Sequence, residues 1–204
     1  MKKHTRKLLK SKNIKVGFFS ILLLLSFMLS DPLFAAASFI SIAVHELGHI
    51  TAAKLLKFNF SEFTLSIFGA GLRPDNSLFS YGNEIFMCLC GPFINFLTFV
   101  LIFPISMIFN SNFLLYVSLS SFVLGLLNLI PIKDMDGGRI LYSVLCLCIS
   151  SEAAEKTINW ISFISILVMW LGSVYVLLIA SYGLSSFIFS ASLFSKIFLS
   201  EYVK

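Results

Sequence analysis

The chain has 204 residues, 58% of them hydrophobic and 12% charged. Soluble domains carry about 25% charged residues, so composition excludes an ordinary soluble protein. What remains is an all-α polytopic membrane protein with room for about six transmembrane helices, and no polar stretch long enough for a separate soluble domain. The net charge of +5 does not point to nucleic acid, because the basic residues gather at the expected membrane edges.

Residues 1–15 hold seven of the fifteen Lys and Arg and form a basic tail, followed by an apolar run from Val16 to Ser30. A basic flank before a helix predicts a cytoplasmic N-terminus. The rival is a signal peptide with a cleavable Ala35-Ala36-Ala37 stretch. His4 lies in the basic tail and reads as a solvated bystander. Asp31-Pro32 is a turn, and Leu33 to Leu56 is a second span of about 36 Å, enough to cross a ~30 Å hydrocarbon core.

Near the middle of that span stands His45-Glu46-Leu47-Gly48-His49. Positions i and i+4 share a helix face, so both histidines can reach one metal ion. Glu46 is turned roughly 100° away and can lie beside the open position. Two imidazoles with a carboxylate base are the zinc-hydrolase constellation. Ionisable groups in a membrane-length apolar run are costly and are usually functional.

Downstream, Phe63, Leu65 and Ile67 alternate with Thr64, Ser66 and Phe68, and Gly69-Ala70-Gly71 follows. This predicts a short strand and turn, a hairpin dipping into the membrane or else an interfacial loop. A bare strand edge there could pair with an extended peptide. Glu84 to Phe109 is the third span. Gly91-Pro92 within it predicts a kink and a close approach of a neighbour. Phe113 to Ile130 is the fourth span and runs into Asn128 to Arg139, a polar cluster at the membrane edge. Ile140 to Ser150 either continues a broken helix or lies at the interface. Ser151 to Thr157 is polar and expected on the cytoplasmic side, Ile158 to Ala180 is the fifth span, and Leu184 to Leu199 the sixth. The outer turns near 31–32, 110–112 and 181–183 contain no Lys or Arg, as the positive-inside rule requires. Both termini are then cytoplasmic. The Cys88/Cys90 and Cys146/Cys148 pairs read as small buried helix residues, since neither has a histidine nearby in sequence.

A catalytic zinc takes three protein ligands plus water, and His4 is the only other histidine. The third ligand is therefore expected to be a carboxylate. Asp134 and Asp136 are the candidates, with Asp31 and Glu62 less suited. Gly137-Gly138 would let the Asp136 carboxylate approach the histidine helix. Glu46 is the expected general base. Asn128 is a candidate donor to the oxyanion, or alternatively a structural interhelical hydrogen bond. Arg139 reads as an anchor at the inner surface.

These residues resemble the site-2 protease family of intramembrane zinc metalloproteases. The matches are His45-Glu46-x-x-His49, Gly91-Pro92-x-x-Asn95, Asn128-x-x-Pro131 and Asp136-Gly137, covering about residues 33–145. The resemblance implies one zinc per chain on His45, His49 and Asp136, with Glu46 as the base and Asn128 positioning substrate. It also favours Asp136 over Asp134 as third ligand, and likens the Gly69-Ala70-Gly71 stretch to the family's re-entrant hairpin. The six-span layout looks most like the sporulation protease that processes pro-sigma-K, without that type's CBS domain. A single membrane-embedded metalloprotease domain over residues 1–204 is thus expected, in a bacterial cytoplasmic membrane. Its substrate would be a transmembrane or membrane-associated protein, with a membrane regulatory partner or a second copy of the chain compatible with the class. The alternative is a non-catalytic zinc scaffold or transporter. A transporter would show polar residues on both sides of the metal, and the outer half of the sequence has few.

Overall fold

The computed structural model describes residues 31–57, 63–66, 69–72 and 80–180. The first and sixth expected spans and Glu62 lie outside these. Helix α1, Pro32–Leu55, starts where Asp31 caps it: Oδ1 accepts from the backbone N–H of Leu33 and Phe34. Proline opens the helix, where its missing N–H costs nothing. Strands β1, Phe63–Ser66, and β2, Gly69–Leu72, pair antiparallel, with Phe63 opposite Leu72 and Ser66 opposite Gly69.

Helix α2, Tyr81–Ile108, is capped by Ser80 and runs on through Pro92 and Pro104. Helix α3, Asn112–Asn128, is capped by Ser111. A short non-helical link then leads into helix α4, Asp136–Cys148, and helix α5, Ser151–Ala180. Of residues 140–150, ambiguous in the sequence, 140–148 belong to the separate helix α4 and 149–150 link it to α5. The polar 151–157 segment forms the first turns of α5.

Helices α1, α2 and α5 are each long and apolar enough to cross a membrane, and α3 is a shorter apolar helix. Large apolar side chains such as Phe93, Val100, Ile108 and Trp160 are exposed, as expected where lipid is the solvent. Between helices, packing relies on small residues, as in other membrane bundles. Helices α1, α2 and α3 contact one another, α4 packs on α2, and α5 packs on α4. At the α1–α2 crossing, a Cβ on Gly48 would lie 2.6 Å from the Cys90 carbonyl oxygen.

Serine hydroxyls line the α1–α3 seam. Ser41 Oγ donates to Val117 O, Ser121 Oγ donates to Ser41 Oγ, and Ser38 meets Ser120. These hydroxyls satisfy one another and the backbone, so they act as interhelical glue rather than lining a path.

Candidate metal centre

Three helices supply the centre. On α1, His45 and His49 stand one turn apart, and both are buried. The link and α4 supply Asp136, the first residue of its helix. Close packing places it there: a Cβ on Gly137 would lie 2.1 Å from Leu129 O, and one on Gly138 2.0 Å from Ile132 O. Any larger residue at either position would push the first turn of α4 off the link that precedes it. The two glycines thus serve close approach within a helix. Ion pairs brace α4 from the other side. Glu84 on α2 accepts from Arg139 Nε and Nη2, both at 3.3 Å, and from Ser143 Oγ at 3.1 Å. Arg139 therefore fastens α4 to α2.

Helix α2 shapes the third wall. A Cβ on Gly91 would lie 2.6 Å from His49 Cε1 and Nε2 and 2.8 Å from His45 Cε1. The neighbour whose approach Gly91 permits is the imidazole pair itself. Met87 O, one turn earlier, is 2.9 Å from His49 Nδ1. Asn95, one turn later, meets His45 Nδ1 at 3.2 Å.

The ligand atoms form a small triangle. His45 Nε2 is 3.0 Å and His49 Nε2 3.2 Å from Asp136 Oδ2, and the two Nε2 atoms are 3.1 Å apart. Asp136 Oδ2 is within ion-pair reach of both rings yet is buried without a hydrogen-bond donor. Three electron-rich atoms at such separations need a shared proton or a cation among them. Ligands at 2.0–2.1 Å from a tetrahedral ion lie about 3.3–3.4 Å apart, close to the observed spacing. Two imidazoles and one carboxylate are also a donor set of catalytic zinc sites, so the residues fit that ion. His45, His49 and Asp136 are the one such group among the described residues.

The other candidates sit elsewhere. Asp134 is exposed, whereas Asp136 is buried against the histidines. Asp31 is committed to the N-terminal cap of α1, about 21 Å up the helix from His45. Glu46 follows His45 directly, and its Oε2 is buried with no hydrogen-bond partner. Asn128 is half-buried at the end of α3, and its Nδ2 donates to Leu124 O at 3.0 Å within its own helix. Met87 was not singled out in the sequence, because its contribution is a backbone carbonyl that any residue would present. Cys88 is buried on α2 and Cys148 exposed on α4, and neither pair of cysteines joins the centre.

Comparison with known proteins agrees with this geometry. The family model for peptidase family M50 matches residues 104–172, a stretch that includes Asn128 and Asp136. A zinc metalloprotease of Methanocaldococcus jannaschii is 34% identical over 112 residues, which cover 52% of this chain and 32% of that protein's length. Among solved structures, the site-2 protease from Methanocaldococcus jannaschii shares the fold, with a TM-score of 0.66, 24% identity, and coverage of 87% of this chain and 83% of that one. The family match spans about a third of this chain, the chain spans about a third of the metalloprotease's length, and the solved structure shares its fold.

Proposed function

We propose that the chain is a membrane-embedded zinc endopeptidase that cuts a peptide bond within or beside a membrane segment of another protein. The observation that carries this reading is the convergence of His45, His49 and Asp136 at the middle of an apolar helix of membrane length. Zinc bound there supplies Lewis acidity toward the scissile carbonyl and lowers the pKa of water toward 7. Glu46 takes the water's proton on Oε2, the oxygen left without a partner, and returns it to the leaving amine. Asn128 supports the oxyanion by exchanging its bond to Leu124 O for one to substrate. Substrate must reach the centre unwound, because a helix hides its carbonyls in its own hydrogen bonds.

The remaining architecture follows the same reading. The β1–β2 hairpin, whose second strand touches α1, is the re-entrant element and offers an edge to an extended substrate. The protein works in a bacterial cytoplasmic membrane with both termini on the cytoplasmic side. Its substrate class is a membrane-tethered precursor such as a sporulation sigma factor, cleaved for release.

The test is Glu46→Gln in proteoliposomes. The variant is expected to keep wild-type zinc content while cleavage of a model transmembrane substrate drops by about 10²–10⁴. Unchanged cleavage would remove Glu46 from the mechanism. Zinc flux without cleavage in the wild type would favour the transporter instead.

A further inference from the structure

A histidine that ligates through Nε2 must place the proton of Nδ1 on something else. For His49 that acceptor is the Met87 carbonyl, 2.9 Å from Nδ1. A carbonyl only accepts, so Nδ1 carries the proton and Nε2 presents a lone pair.

His45 has a different neighbour. Its Nδ1 lies 3.2 Å from the side-chain amide of Asn95. Asn95 is 0% exposed and lies beside Gly125 of α3, where an added Cβ would be 3.4 Å from Asn95 Cβ. With the amide nitrogen toward the ring, Nδ1 accepts and the His45 proton sits on Nε2. That proton then points among Asp136 Oδ2 and His49 Nε2, at 3.0 and 3.1 Å, where a cation belongs. The same orientation leaves Asn95 Oδ1 buried with no partner. The two ends of an amide are nearly identical in shape and opposite in hydrogen-bonding role. Half a turn about the terminal bond gives Oδ1 the Nδ1–H of His45 and frees Nε2, with Nδ2 then taking the buried place that Oδ1 holds.

We propose that Asn95 is the positioning residue for His45: its Oδ1 accepts the Nδ1–H and so holds the tautomer whose Nε2 can ligate. The inference rests on the zinc reading above. It also links two events, because an Asn95 amide turned nitrogen-first puts a proton where the metal would lie. Amide rotation and metal binding are therefore coupled at a side chain that touches neither metal nor substrate.

The test measures zinc affinity of the purified full chain in detergent, by competition with a chromophoric chelator. Wild type is compared with Asn95→Leu and Asn95→Asp. Leucine approximates the shape and can neither donate nor accept, whereas aspartate only accepts. The leucine variant is expected to bind zinc about 10–100-fold more weakly, and the aspartate variant to recover most of that loss. A purely structural role would not be rescued by placing a charge in a buried site. In parallel, nitrogen NMR of zinc-loaded, histidine-labelled wild type should show His45 protonated at Nδ1 and bound through Nε2. Wild-type affinity in the leucine variant overturns the proposal, as does an aspartate variant as weak as leucine. If the aspartate variant does not fold, the NMR tautomer decides: an unprotonated Nδ1 overturns the proposal. Wild type that takes up no zinc would instead refute the metal reading itself, before any variant is compared.

Discussion

Gly91→Ala isolates the centre from the fold. The added Cβ would lie 2.6 Å from His49 Cε1 and Nε2 and 2.8 Å from His45 Cε1, where ordinary contact begins at 3.4 Å. The rings must therefore retreat by about 0.8 Å (3.4 − 2.6) and about 0.6 Å (3.4 − 2.8). Metal–ligand distances hold within about 0.2 Å, so the displacement is several times what a site tolerates. The helix itself does not suffer, since alanine is a better helix former than glycine by ~1 kcal/mol. Rotating the rings away also breaks the bonds to Met87 O and Asn95 that orient them. Zinc affinity is expected to fall by at least ~100-fold, beyond the loss of a single supporting group. The thermal transition in detergent should stay close to that of wild type. Chelator competition and a melting curve on the same preparation read both quantities. Wild-type zinc affinity in a folded Gly91→Ala protein would refute the packing argument.

Two further outcomes follow from the same geometry. Asp136→Asn should lose zinc by more than the ~10–100-fold that a supporting group costs, while Asp134→Asn, altering an exposed residue, should bind as wild type; equal losses would contradict the assignment. Glu84→Gln leaves the Arg139 guanidinium facing a neutral amide and weakens the bond from Ser143. A cost of about 1 kcal/mol in denaturation in mild detergent is expected, at the low end for charged hydrogen bonds because the pair is partly solvated.

How much of this was legible in the sequence depended on the range of each interaction. The histidine pair was readable because i and i+4 on a helix are local geometry, and the apolar run around it fixed the helix. The Asp31 turn was placed, but its role as a cap on α1 emerged only with the helix. Asp136 and Asp134 could not be separated on the residues alone, since the choice turns on which carboxylate the link from Leu129 to Met135 folds inward. Gly91 announced a close approach, but not that the imidazoles were what approached. Met87 left no signal, because a backbone carbonyl has no sequence signature. The serines of the α1–α3 seam were passed over because serine in an apolar helix carries no periodic mark of its own. Pro92 did not end the helix, because α2 continues through both of its prolines.

The central claim is that two imidazoles and one carboxylate hold a zinc ion inside the membrane bundle. X-ray absorption at the zinc edge of the purified, catalytically tested protein measures that coordination directly. The account predicts one zinc per chain in a shell of nitrogen and oxygen at about 2.0–2.1 Å, including two imidazoles and lost in Asp136→Asn. A sulfur shell at about 2.3 Å, which would place the zinc on the cysteines, or no bound zinc in an active enzyme, would contradict it.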